Sequence, residues 1–243
     1  MSGMSGSGEP GEPGEPGGPG GSGEWSGGAV GRRPVLYLDV DGPLNPYAAK
    51  PERRPAGYST HRMKPQGWID QHPGEPAAYV KPLRVWLNEE HGRRLRELGR
   101  LYDLVWATTW GAEANTYIGP VLGLPELPVV EWPGVTGRPG GVAVEGPGAG
   151  ADRDQEPDTA SWPTGLFWKT PHLVEHAAGR PFAWVDDELT VIDRTFVTAR
   201  HGPHALLHRI DPRLGLREPD FTALADFART AVRSGEDMGT VGW

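Results

Sequence analysis

Two aspartates, Asp39 and Asp41, stand two residues apart in the run Tyr37-Leu-Asp-Val-Asp-Gly42, directly after an apolar stretch. A second acidic pair, Asp186 and Asp187, ends Trp184-Val-Asp-Asp187, and two hydroxyls end Leu104-Val-Trp-Ala-Thr-Thr109. Lys169 opens a further helix-forming stretch. Carboxylates at the end of a buried strand are costly unless a cation or hydrogen bonds offset their charge. Several hard oxygen ligands in one crevice suit Mg²⁺, which keeps some waters and shares its shell with a phosphate. A hydroxyl and a lysine beside them would hold the oxygens of a transferring phosphoryl group, whose charge must be stabilised in the transition state. Each piece alone has a plainer reading. A strand-end Asp is usually a turn or cap, Thr108 can cap the helix after it, and a lone lysine is usually solvated. The ordered set, with each member after an apolar strand or at a helix start, is what points to chemistry.

The elements that must position these residues alternate along the chain. Pro34–Val40, Asp103–Thr108, Leu127–Glu131, Phe182–Asp186 and Ala205–Ile210 read as buried strands, short and rich in β-branched and aromatic residues. Between them, helices are expected over Leu83–Leu101 (with Gly92 a possible break), Glu113–Leu122 (stopped by Gly123), Lys169–Ala178, Thr190–Ala199 and Glu218–Val232. Pro171 is tolerated in a first turn. The alternation predicts an α/β fold, a three-layer sandwich around a central parallel sheet of about five strands. Ligands in that architecture sit beyond the carboxyl ends of the strands, where Asp39, Asp41, Thr108, Thr109, Asp186 and Asp187 all fall.

Composition limits the alternatives. The chain has 243 residues and no cysteine, which excludes disulfides, thiolate nucleophiles and Cys-based zinc sites. Residues 1–31, with the repeated Gly-Glu-Pro triplets, read as a disordered tail. Residues 133–163 read as a long flexible insertion, and residues 233–243 as a C-terminal tail. Of the net charge of −8, residues 1–31 carry −4 and residues 133–165 carry −3. The folded part is nearly neutral, so the acidic balance says little about the site. No basic start precedes an apolar run, and no apolar stretch approaches the ~20 residues of a membrane helix. A soluble cytoplasmic protein with no membrane partner is expected.

Tyr37-Leu-Asp-Val-Asp-Gly-Pro-Leu44 resembles the first motif of the haloacid-dehalogenase-like (HAD-like) superfamily, a strand ending in Asp-x-Asp-Gly. Leu104–Thr108 is similar to its second motif, Lys169 to the lysine of its third, and Trp184–Asp187 to its acidic fourth. The resemblance spans about residues 34–232 apart from the insertion. More narrowly, Trp106-Ala-Thr-Thr-Trp-Gly-Ala-Glu-Ala-Asn115, Leu122-Gly-Leu-Pro125 and Trp184–Asp187 resemble the phosphatase-like domain of "Swiss army knife" RNA-repair proteins. The resemblance implies a Rossmann-like fold and a Mg²⁺-dependent phosphatase working through an aspartyl-phosphate. By position, Asp39 would be the nucleophile and Asp41 the general acid and base, while Thr108 and Lys169 would hold phosphoryl oxygens. The Asp39 carboxylate, Asp41 (through its backbone carbonyl), Asp186 and Asp187 would surround the Mg²⁺, with either Asp186 or Asp187 the direct ligand. Two departures stand out. Pro43 follows Gly42, where Thr or Val is usual, and removes an N–H from the loop that aims Asp41. Thr109 beside Thr108 lets the second motif slip by one residue.

The superfamily inserts its cap after the first strand, where residues 45–82 are long enough only for a small flap. Residues 50–64 hold Lys50, Arg53, Arg54, Arg62 and Lys64 against Glu52 alone, with His61 among them. That balance suits a polyanionic partner, either a phosphorylated small molecule or a nucleic-acid end, although a basic loop is often merely solvated. His61, Arg62, Lys64, Thr109, Trp110 and Asn115 are therefore candidate substrate contacts, with core packing the alternative for Trp110. Tyr58 and Trp68 are further candidates for stacking bases. No helix-turn-helix, zinc-finger or RNP pattern is present, so sequence-specific DNA binding is not expected. His172 and His176 lie four apart on one expected helix, without a third ligand, and read as a surface pair. A non-catalytic metal- or phosphate-binding module and a phosphotransferase remain as other functional readings.

Overall fold

A computed structural model describes residues 33–133 and 162–237. The tail at 1–31, nearly all of the expected insertion and the last residues of the chain lie outside the described residues.

The first strand, β1 (Val35–Leu38), is wholly buried. It can be apolar at every position because it lies at the centre of a parallel sheet, covered on both faces. Its neighbours are β4 (Asp103–Trp106) and β5 (Phe182–Asp186), and β6 (Ala205–Arg209) pairs beyond β5. The order is β4-β1-β5-β6. Residues 127–131, expected as a full strand, make a single parallel bridge outside β4. Trp106 N donates to Pro128 O at 2.8 Å, and Val130 N donates to Trp106 O at 2.9 Å. Pro125 and Pro128 offer no N–H to extend a ladder. The sheet therefore has four strands plus a bridged edge segment, rather than five.

Alternation along the strands divides the core. Leu36, Leu38, Leu104, Trp106, Ala183 and Val185 face α2 (Glu89–Leu98), α3 (Gly119–Leu122) and α6 (Glu218–Asp237). Val35, Tyr37, Val105, Phe182, Trp184 and Leu207 face α4 (Lys169–Ala177) and α5 (Val191–His201). The C-terminal helix runs to Asp237, past the expected start of a tail at 233.

The stretch Leu83–Leu101 is not one helix. Leu83–Leu87 is strand β3, pairing antiparallel with β2 (Ser59–Met63), and Asn88 then caps α2 by accepting from Glu90 N at 3.1 Å. The spacing of Leu83, Trp86 and Leu87 mimics a helix. The partner strand lies some twenty residues earlier, so nothing local reveals it. A short helix, α1 (Gln66–Asp70), completes the flap between the two strands. The helix expected over Glu113–Leu122 is a π-helical turn, Ala114–Ile118, running into α3, and Gly123 closes it with φ +60°.

Gly92, the suspected break, sits inside α2 because α3 presses on it. A β-carbon there would lie 1.7 Å from the carbonyl oxygen of Leu122. Gly92→Ala should gain about 1 kcal/mol of helix propensity and lose more through the forced separation of α2 from α3, a cost of about 2–3 kcal/mol. The net expectation is a melting temperature several degrees lower, read by a thermal melt. An unchanged or raised melting temperature would mean the two helices separate freely.

Candidate metal and phosphoryl-transfer site

The three acidic and hydroxyl strand ends meet at one edge of the sheet. Leu38 is in register with Trp106 on one side and Val185 on the other. Asp39 N donates to Val185 O at 3.1 Å, and Ala107 N donates to Leu38 O at 2.8 Å. Asp39, Ala107 and Asp186 therefore lie at the same level at the strand ends, with Thr108 one residue further on.

Lys169 joins two of them. Its Nζ donates to Asp39 Oδ2 at 2.8 Å and to Asp186 Oδ2 at 2.9 Å, with all three side chains buried. Burial works against the ammonium, but the charges of Asp186 and Asp39 outweigh it and hold Lys169 protonated well above its ordinary range. Burial pushes the Asp186 carboxyl upward, and Lys169 acts against that push. Asp187, also buried and close to the charge of Asp39, is pushed up to about 7. Carboxylate oxygens of Asp39, Asp186 and Asp187 all lie within 4.8 Å of one another. Three buried carboxyl groups beside one ammonium can be ionised together only if a further positive charge joins them, which a bound cation would supply. This cluster can hold a metal ion.

The supports are specific. Asp39 Oδ1 accepts from Val40 N at 2.7 Å, Asp186 Oδ1 from Glu188 N at 2.9 Å, and Asp187 Oδ2 from the Tyr47 hydroxyl at 3.1 Å. Buried Asp193 ties the start of α4, and with it Lys169, to the start of α5. Its carboxylate accepts from Phe167 N, the Thr170 hydroxyl, Thr190 N and the Thr190 hydroxyl. Gly42 has φ +89°, and a β-carbon there would meet Asp187 Cγ at 2.5 Å, so only glycine lets the loop after Asp41 pass this carboxylate.

Asp41 is not one of those three carboxylates and has its own partners. Its Oδ1 accepts from Asn45 Nδ2 at 2.7 Å and its Oδ2 from Trp110 Nε1 at 2.9 Å. Pro43 does not disturb this arrangement. The turn is closed by Leu44 N and Asn45 N on Val40 O and by Gly42 N on Asn45 O, and Pro43 contributes only its carbonyl, to Leu216 N. A cavity of about 30 Å³, lined by Asp39, Asp41, Tyr47, Thr109, Trp168, Lys169, Asp187 and Glu188, opens between the two acidic environments. That is room for an ion or a water. Two larger clefts, of about 220 and 300 Å³ along α2 and α6, share no lining residue with it.

The remaining candidates fall in several places. Thr108 is fully buried at the strand end and Thr109 lines the cavity. Trp110 is also buried and spends its N–H on Asp41. Asn115 is a brace, its amide oxygen accepting from Trp106 Nε1 and Leu127 N while its Nδ2 donates to Leu127 O. Lys64 Nζ donates to the carbonyls of Ala77 and Ala78 within the flap. His61 and Arg62 lie on β2, with Arg62 exposed. Tyr58 is buried beside Ala49 and Trp86, and Trp68 stacks edge-on against His72. His176 pairs with the Tyr37 hydroxyl at 2.8 Å, while His172 lies against Trp132 and Trp162.

Sequence reasoning passed over Asn45, Tyr47, Trp168, Glu188 and Asp193. Asn45 and Tyr47 lie just beyond the Asp-x-Asp run, but nothing in their types marks them. Thr190 with Asp193 is a capping-box pattern readable in advance. Glu113 pins the start of α1 to the segment after β4, its carboxylate accepting from Gln66 N at 2.5 Å and Gly67 N at 3.0 Å.

Comparison with protein-family models, with curated proteins and with solved structures finds no match to this chain. Among the described residues, no helix is long and apolar enough to cross a membrane.

Proposed function

We propose that this protein is a Mg²⁺-dependent phosphomonoesterase of the HAD-like type, working through an aspartyl-phosphate on Asp39. The supporting observation is the division of the carboxylates. Asp39 shares Lys169 with Asp186 inside a three-carboxylate cluster, whereas Asp41 is held separately by Asn45 and Trp110. Two aspartates two residues apart thus have environments suited to different work.

Asp39 attacks phosphorus, forming a carboxylate O–P bond as the ester P–O bond breaks. Asp41 gives its proton to the departing oxygen and then takes one from the attacking water. That water forms the new P–O bond, the Asp39–phosphorus bond breaks, and the carboxylate is restored. Lys169, with Thr108 or its neighbour Thr109, which lines the cavity beside it, would hold the phosphoryl oxygens. Asp39, Asp186 and Asp187 would hold the Mg²⁺, whose contribution when bound is to neutralise charge on the phosphoryl group and the carboxylates. The test is hydrolysis of a panel of phosphomonoesters with Mg²⁺ and with chelator. Turnover that requires the ion is expected, and no turnover on any member would sink the proposal.

Trp110 is a positioning residue on this account. Trp110→Phe removes the N–H held by Asp41 and should lower kcat about tenfold on an alkyl phosphate. The loss should be smaller on 4-nitrophenyl phosphate, whose leaving oxygen needs no proton, with KM little changed. Equal losses on both substrates would make Trp110 merely structural.

A further inference from the structure

The outer face of the β2–β3 hairpin carries a charge arrangement that packing alone does not explain. Arg62 and Arg84 are directly opposed across the two strands. Like charges in that position destabilise a hairpin. By the two-residue alternation, Thr60 and Trp86 form the adjacent pair on the same face. Arg84 lies over the Trp86 ring, its guanidinium carbon 4.2 Å from the centroid, a cation–π contact that restrains the fork. The Thr60 hydroxyl oxygen accepts from both Trp86 Nε1 and Arg54 Nη1, each at 3.0 Å. Both contacts use the hydroxyl as acceptor, which leaves its O–H as a donor, and they bring Arg54 to the same spot. None of Arg54, Arg62 and Arg84 is in an ion pair among the described residues, although other arginines of the chain have carboxylate partners.

We propose that Arg54, Arg62 and Arg84, with the Thr60 hydroxyl, form a binding site for a phosphate-type oxyanion, separate from the acidic cavity. Three guanidinium forks and a hydroxyl offer donors only, in the planar geometry that suits phosphate oxygens. An anion seated between Arg62 and Arg84 converts their repulsion into two attractions. The hairpin is anchored to the loop carrying Asp41, since Trp86 N donates to Asn45 Oδ1 at 3.0 Å and Asn45 in turn holds Asp41. The oxyanion belongs either to a small polyphosphate or to a nucleic-acid strand. The proposal does not depend on the chemistry assigned to Asp39.

The test uses the full chain and two probes, inorganic pyrophosphate and a short fluorescent oligothymidylate, with binding followed at low salt. Arg62→Glu places a carboxylate opposite Arg84. It should weaken binding of the preferred probe by about tenfold or more while holding the melting temperature or raising it by about 2 °C, because a repulsive pair becomes attractive. Arg84→Gln should weaken binding in the same direction and serves as the second variant if Arg62→Glu does not fold. Binding of both probes would indicate an isolated oxyanion site, and binding of the oligonucleotide alone a strand backbone. The proposal is overturned if the wild-type chain binds neither probe, or if both variants bind as tightly as wild type.

Discussion

Replacing Asp39 by asparagine is expected to cut kcat on phosphomonoesters by on the order of 10⁴-fold or more, to the background of the uncatalysed reaction. The amide has nearly the shape of the carboxylate, and its oxygen can still accept from Val40 N. The fold should therefore survive, and a retained melting curve is the control. What disappears is the charge that attacks phosphorus and faces Lys169. Asp41 should not substitute, because on this reading Asn45 and Trp110 position its carboxyl for proton transfer rather than for attack. Steady-state assay of the purified variant with saturating Mg²⁺ checks this. A loss of only a few fold would mean that Asp39 is a metal ligand or a structural carboxylate and not the nucleophile.

The largest stability effect is expected at Lys169. Lys169→Met replaces a fully buried ammonium by an apolar chain of similar length and leaves Asp39 and Asp186 facing each other uncompensated. Breaking a buried ion pair by removing one partner costs about 3–5 kcal/mol. For a domain of this size that corresponds to a fall in melting temperature of about 10 °C. Added Mg²⁺ should recover more of that loss in the variant than it adds to wild type, because the ion then supplies the only positive charge in the cluster. Differential scanning calorimetry with and without Mg²⁺ separates the two contributions. Equal stabilisation of variant and wild type would place the cation elsewhere.

Much of the site could be read from the chain because parallel-sheet topology brings strand ends together whatever the loops do. Buried runs such as Val-Leu-Tyr-Leu and Phe-Ala-Trp-Val-Asp are covered on both faces, so they stand out as apolar strands. Each polar residue that ends such a run must then face the same crevice. Contacts set by distant partners could not be read in the same way. Strand β3 is stabilised by Ser59–Met63, and its spacing alone suits a helix equally well. Trp110 looks like core packing or a stacking surface, and only the fold shows that its N–H meets Asp41. Lys64 belongs to a basic run, yet its ammonium is taken up by two carbonyls of the flap. Arg84 lies outside that run altogether and becomes part of the basic face through the register of the hairpin.

The two carboxylates of the Asp-x-Asp run differ in what holds them, and the first is proposed to carry the phosphoryl group. The most direct measurement is to react the protein with a phosphomonoester and Mg²⁺, quench in acid, reduce with borohydride and map the peptides by mass spectrometry. An acyl phosphate is reduced to the alcohol, so homoserine is expected at position 39 and at no other aspartate. Homoserine at position 41 or 187, or turnover with no reduced residue, would contradict the assignment of Asp39.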